Sequence, residues 1–144
     1  MSSKRYRQGI FKPKNSSKFI GNKAIYRSGL ELKFFRFCDD NKNVLKWSSE
    51  DIVVPYISPV DNRVHRYFVD NFIVIKEGDA VKKYLVEIKP YRQTKPPTTK
   101  YKKKQHIIYE QKQWAVNTSK WKSARQFAKK QGWEFILITE KDLK

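Results

Sequence analysis

Leu30, Phe34 and Phe37 recur at the spacing of one helical face, with Leu32 and Phe35 widening the stripe. Ser28-Gly29-Leu30-Glu31 has the form of a capping box, serine at the cap and glutamate three residues on, so a helix is expected from there to about Asp40. Ile52-Val53-Val54-Pro55-Tyr56-Ile57 is β-branched and aromatic. It reads as a strand near a sheet edge, because Pro55 cannot donate to a ladder. Ser58-Pro59-Val60-Asp61-Asn62-Arg63 turns the chain into a long strand over residues 65–75. Lys76-Glu77-Gly78-Asp79 turns it again into the run ending Tyr84-Leu85-Val86. Residues 90–97 carry Pro90, Pro96 and Pro97, which break ladders and helices alike, and are expected to be a loop with no regular structure.

Over residues 100–114, Ile107, Ile108 and Trp114 fall on one helical face. A separate helix is expected after a cap at Asn117, Thr118 or Ser119. It would bury Trp121, Ala124, Phe127 and Ala128, stop at Gly132 and lead into a last strand. Trp114 and Trp121 read as core rather than as platforms for stacked bases. Asn117 and Lys120 read as a cap and a solvated lysine before any supporting role in a site. The order is α-β-β-β-α-β, an α/β fold with a mixed sheet, an antiparallel meander and flanking helices.

The hairpin has a chemical consequence. If its turn is centred between Gly78 and Asp79, paired residues have numbers summing to 157, and Asp70 faces Glu87. Opposed like charges in an antiparallel pair repel. A cation between them is therefore expected. Mg²⁺ suits the gap, since it takes one or two carboxylates, keeps several waters and accepts phosphate oxygens. Lys89 falls on the face of Glu87 by the period of two, while Ile88 points to a core and offers its carbonyl as a neutral ligand. The bland alternative is that these are ordinary polar residues of a solvated hairpin, and that Glu31 merely closes its capping box.

Charge narrows the choice. The 144 residues hold 32 Lys and Arg against 14 Asp and Glu, a formal net charge of +18 with a pI near 10.0. No acid precedes Glu31, whereas Lys4, Arg5, Arg7, Lys12, Lys14, Lys18, Lys23 and Arg27 do, so residues 1–25 read as a basic arm and 26–144 as a single domain. A second basic tract runs from Lys89 through Arg92, Lys95, Lys100, Lys102, Lys103 and Lys104 to Lys112. Nucleic-acid phosphate is the simplest partner for both tracts. No stretch has the apolar length of a spanning helix, and a membrane partner is not expected. Cys38, expected to pack on the first helix, is the only cysteine. This excludes an internal disulfide or cysteine zinc cluster and favours a reducing compartment. His65 and His106 are too few for a histidine metal site. No glycine-rich phosphate loop, signal peptide or internal repeat is visible.

An early helical glutamate, an aspartate in a hairpin's first strand and Glu-X-Lys in its second resemble the PD-(D/E)XK nuclease superfamily. Tyr26-Arg27-Ser28-Gly29-Leu30-Glu31, Phe68-Val69-Asp70-Asn71-Phe72, Val86-Glu87-Ile88-Lys89-Pro90 and the ending Trp133-Glu134-Phe135-Ile136-Leu137-Ile138-Thr139-Glu140 are similar to its branch of transposon-encoded end-cleaving endonucleases. The short basic build is also similar to head completion proteins of T-even-type tailed phages. One departure is Val69, where the motif name has proline. The resemblance implies a restriction-endonuclease-like core in which Asp70, Glu87 and the Ile88 carbonyl hold Mg²⁺, with Mn²⁺ able to substitute. Glu31 would bind a second metal or a water on the first. Lys89 would orient or deprotonate the attacking water, or stabilise the pentacovalent phosphate. Arg27, Tyr91, Arg92, Lys95, Lys102, Lys103 and Lys104 would lie along duplex DNA. Function would be metal-dependent end processing during phage head completion, in the virion or the infected cytoplasm, beside the portal or other completion proteins.

A DNA-binding structural protein at the portal, without turnover, and a basic RNA-binding protein also fit the charge. Neither accounts for opposed carboxylates. Affinity for duplex DNA is expected to fall by about a thousandfold or more between 50 and 200 mM salt if six or more phosphates are contacted. Fluorescence anisotropy across that range checks it, and tighter binding of structured RNA than of duplex DNA would favour the RNA reading.

Overall fold

The structure, a computed structural model, describes residues 8–100 and 102–143. Among these, nine strands and two helices follow in the order β1 (Gly9–Phe11), β2 (Phe19–Ile20), β3 (Ala24–Tyr26), α1 (Gly29–Asp40), β4 (Val44–Ser49), β5 (Val53–Ile57), β6 (Val64–Phe68), β7 (Asn71–Glu77), β8 (Ala80–Ile88), α2 (Lys104–Gln131) and β9 (Glu134–Ile138). The main sheet is mixed, in the order β2-β4-β7-β8-β9, with parallel pairs at both ends and the antiparallel pairs β4-β7 and β7-β8 between them. This is the α/β arrangement with a mixed sheet that the pattern predicts, and it is the restriction-endonuclease-like core that the resemblance implies.

Alternation along the central strands sends their side chains to two cores. On one face Ile73, Val86 and Ile88 meet Phe34, Phe35 and Cys38 of α1 and Trp47 of β4. On the other, Leu85 meets Trp121, Ala124 and Ala128 of α2 together with Val54, Tyr56, Tyr67 and Val69. The two alanines let α2 approach the sheet closely. The α1 stripe is rotated from the expected one: Leu32, Phe34, Phe35 and Cys38 are buried, while Leu30 and Phe37 flank them. Cys38 packs as expected. No described helix is long and apolar enough to cross a membrane.

Several boundaries differ from expectation for identifiable reasons. The long strand over 65–75 is two strands, β6 and β7, because the chain joins the main sheet only at Asn71; β5 and β6 form a separate two-stranded ribbon against α2. β4 takes the place beside β7 that the meander assigned to residues 52–57. Its pattern hides it, since the register shifts between Val44 and Lys46 and leaves Leu45 exposed. The two helical segments after residue 100 are one 28-residue helix. Thr118 does not cap it but donates its hydroxyl back to the Trp114 carbonyl at 2.9 Å. Gly132 does end it, at φ 80°, with Trp133 N–H bonded to the Ala128 carbonyl. The loop over 90–97 contains one 3-10 turn, Tyr91–Thr94.

The basic arm also differs. Residues 1–7, with Lys4, Arg5 and Arg7, lie outside the described residues. From Gly9 onward the segment packs on the domain rather than standing apart from it. β1 pairs with β3, and Phe11 and Phe19 pack at a steep angle against Trp47, with 6.0 and 4.7 Å between ring centroids. Buried Asp39 clamps it, accepting Lys14 N–H and Asn15 N–H, each at 2.9 Å. Lys18 Nζ completes the clamp on the carbonyls of Asp39 (3.1 Å) and Asn41 (2.9 Å), where α1 leaves acceptors unpaired.

Asp39→Ala is expected to cost about 2–4 kcal/mol, because two backbone donors lose the charged acceptor that buried Asp39 gives them. Asp40→Ala removes only an exposed pair with Lys14 and should cost less than about 0.5 kcal/mol. Urea unfolding of both variants measures the difference.

Candidate active site

The turn at Gly78, whose φ is 63°, fixes the β7-β8 register from Glu77↔Ala80 to Asn71↔Val86. With only its first central residue at positive φ, it follows the II′ pattern of two-residue hairpins. Asp70 stands one residue before β7, opposite Glu87 by continuation of that register. The Asp70 carbonyl accepts Glu50 N–H at 3.0 Å, and Val69 N–H reaches the Ile52 carbonyl at 3.0 Å, so the chain departs from the sheet there. Glu50 turns it from β4 towards β5 with φ 53°, a conformation uncommon outside glycine. The break exposes one edge of β8. Ile88 N–H, left without a strand partner on that side, donates instead to Asp70 Oδ2 at 2.8 Å. On the other side Lys89 N–H stays in the sheet, bonded to the Ile138 carbonyl.

Glu87 is buried and accepts the Tyr67 hydroxyl proton at Oε1. Lys89 Nζ lies 3.5 Å from its Oε2. Burial, and then the charge of Glu87, raise the Tyr67 pKa well above its ordinary value, so the phenol stays a donor. Lys120 Nζ sits over the Tyr67 ring, 5.5 Å from its centroid. Asp70 has its pKa pushed well up, first by burial and then by Glu87, with Glu31 adding to the effect; Ile88 N–H and Lys89 oppose it. Glu31 is also raised, chiefly by burial, against the Arg27 N–H that donates to its Oε1 at 2.9 Å. Its own N–H donates to Ser28 Oγ at 3.1 Å, so the capping function is real. Glu87 and Lys89 nevertheless act on it electrostatically. Glu31, Asp70, Glu87 and Lys89 thus share one charged neighbourhood.

The expected DNA contacts separate into two groups. Arg27 is paired with Glu50 and Lys102 with Glu110 at 2.6 Å. Tyr91 is held by its neighbours, its N–H on Glu140 Oε1 at 2.8 Å and Lys141 Nζ 3.5 Å from its ring centroid, so it is not free to stack on a base. Arg92 and Lys95 are exposed and line a cleft together with Lys89. Lys103 and Lys104 are exposed at the start of α2. Asn117 and Lys120 join the cleft wall, which their spacing did not indicate. Tyr67 and Glu50 escaped the sequence reading because nothing in their spacing links them to residues 87 and 27.

Among the described residues, no three His, Cys, Asp or Glu side chains form a metal cage. The donors at the hairpin are carboxylates and backbone oxygen, hard ligands offered incompletely. That chemistry fits Mg²⁺, which keeps waters and takes phosphate oxygens, and does not fit a closed zinc site. The mutual repulsion of carboxylates gathered beside a single ammonium is the physical reason a cation would be held.

The chain matches the family model described as TnsA-like endonuclease N terminal over residues 41–140, a span that holds Asp70, Glu87 and Lys89 and begins after Glu31. It is 38% identical over 144 residues to the head completion nuclease of Enterobacteria phage T4, covering 94% of this chain and 93% of that protein.

A carboxyl with a raised folded pKa binds its proton more tightly folded than unfolded, so it lowers stability as pH rises above the ordinary aspartate value near 4. In chelator, Asp70→Asn is expected to melt above the wild type by about 3 °C or more at pH 7, and the gap should close as pH falls below about 4. Melting curves from pH 3 to 8 test this; an offset independent of pH would exclude an electrostatic origin.

Proposed function

Because the chain belongs to the TnsA-like endonuclease family, we propose that it is a Mg²⁺-dependent DNA endonuclease that hydrolyses phosphodiester bonds at the end of the β7-β8 hairpin. The observation that carries this reading is the meeting of Asp70 and Glu87 beside Lys89, with Ile88 N–H orienting the Asp70 carboxylate. A protein that only bound DNA would gain nothing from carboxylates next to phosphate.

Asp70, Glu87 and the Ile88 carbonyl would hold Mg²⁺, with Mn²⁺ as a substitute. Bound there, the cation supplies a stronger nucleophile at neutral pH and charge compensation on phosphate oxygens. The protein's own groups do the rest. Tyr67 fixes the orientation of Glu87 through the hydroxyl it donates to Oε1. Lys89, anchored by Glu87, presents an ammonium where charge builds on the phosphoryl oxygens, and it orients the attacking water. Glu31 sits in the first turn of α1, where it adds acceptor capacity at the edge of the site. Arg92, Lys95, Lys103 and Lys104 supply phosphate contacts that position the backbone.

The likeness to a head completion nuclease supports a place in phage assembly. Processing DNA ends as a filled head is completed, beside the portal or other completion proteins, suits an enzyme with a basic surface and a site exposed at a sheet end. The virion or the infected cytoplasm would be its location. A second reading, DNA binding at the portal without turnover, is favoured by the pairing of Lys89 with Glu87, which partly neutralises the site without a metal.

Wild-type protein is expected to cut duplex DNA in Mg²⁺ or Mn²⁺ and not in EDTA. Glu87→Ala and Lys89→Ala should each lower the rate by about a hundredfold or more, with salt-sensitive binding retained. Gel assays beside anisotropy measure both, and tight binding with no cleavage in any metal would put the non-catalytic reading first.

A further inference from the structure

A cleft of about 580 Å³ lies between the loop over residues 92–98 and the first half of α2, and Lys89 is among the residues that line it. Its size falls in the range of small-molecule sites, about 300–1,000 Å³, the class of a single nucleotide rather than of stacked base pairs. Arg92, Lys95 and Lys120 line it, and none of the three is in an ion pair among the described residues. Lys102 and Glu110, also in its wall, neutralise one another. The remaining wall is flat or amide-bearing. Trp114 and Tyr109 present aromatic surface, and Gln113 and Asn117 offer paired donors and acceptors of the kind that read base edges.

Both walls are built before any ligand arrives. The loop is pinned through Tyr91 to Glu140 and Lys141, and Thr94 Oγ1 closes its turn on the Tyr91 carbonyl at 2.6 Å. Trp114 is set edge-on to buried Trp121, ring centroids 5.8 Å apart at 85°. Lys120 and Lys95 lie over the Tyr67 and Tyr91 rings, at 5.5 and 5.3 Å from their centroids, so their charges are set in place without being neutralised by a carboxylate. Aromatic surface with such cations around it is the arrangement that binds single-stranded nucleic acid.

We propose that this cleft takes one unpaired nucleotide of the strand being cut, next to the scissile phosphate, so that the enzyme acts where duplex gives way to single strand. Arg92, Lys95 and Lys120 hold the phosphate and Trp114 and Tyr109 take the base. An intact duplex would have to extrude a base to fill the cleft, at a cost that a frayed or tailed end does not incur. The inference rests on the endonuclease reading, since Lys89 belongs to both sites.

The test uses three labelled DNAs in EDTA: a blunt duplex, the same duplex with a short single-stranded tail on either strand, and the tailed duplex with abasic tail residues. Anisotropy should show the tailed DNA bound about tenfold more tightly than the other two, the worth of one stacked base. Gln113→Trp, at an exposed helix position, fills the cleft and should bring the tailed DNA down to the blunt value. Equal affinity for all three DNAs overturns the inference, as does a preference that survives Gln113→Trp. Cleavage of the same DNAs in Mg²⁺ separates the two proposals. Tail preference in binding with no cleavage of any DNA keeps the cleft and sinks the endonuclease, whereas cleavage without tail preference sinks the cleft alone.

Discussion

The two-residue turn at Gly78 and Asp79 sets which residues of β7 and β8 oppose one another, and through that register it brings Asp70 to Glu87. A slip of one residue would send Glu87 and Lys89 to the α1 core and Val86 and Ile88 to the site. The buried alternation prevents it: Val86 and Ile88 fill the α1 face, while Leu85 and Glu87 face α2. Packing on two faces of one strand therefore protects an arrangement that electrostatics alone would disfavour.

That arrangement is held by neighbours with little freedom. Asp70 is placed by a backbone donor, Glu87 by a buried phenol and Glu31 by the helix cap it shares with Ser28 and Arg27. Each acid takes its position from a group whose own place is set by the fold. The raised pKa values of Asp70 and Glu31, due first to burial, express the cost of gathering these acids. In a chain of net charge +18, this acidic site is a local exception. Under the proposed reading it would be the place where a cation and the phosphate it accompanies are held.

The hairpin register, α1 with its cap, the Gly132 stop and the last strand were legible in the sequence, because each rests on local chemistry: a glycine turn, a serine box, an apolar period. What was not legible depends on distant partners. β4 lost its alternation to a bulge beside β7. Asn117-Thr118-Ser119 resembled a cap, yet inside a helix anchored by Trp114 and Trp121 the threonine hydroxyl satisfied a helical carbonyl instead. The basic arm hid its attachment because Asp39, a polar residue, does much of the anchoring, while Phe11 and Phe19 add apolar contact to Trp47. Of the site, Glu31, Asp70, Glu87 and Lys89 were readable. Tyr67 was not, since it reaches Glu87 from the separate β5-β6 ribbon.

Basic tracts looked uniform in sequence, but the fold gives their members different tasks. Lys18 caps α1, Arg27 and Lys102 are neutralised by carboxylates, and Lys141 grips the loop through Tyr91. Arg92 and Lys95, left facing solvent, line the cleft with Lys89 and Lys120, and exposed Lys103 and Lys104 stand at the start of α2. A positive rim around an acidic centre resolves the apparent conflict between a strongly basic chain and a carboxylate site. The rim draws the polyanion in from a distance, with a field that salt screens. The centre engages it only at contact, where the partly buried acids are shielded from salt and geometry decides the chemistry.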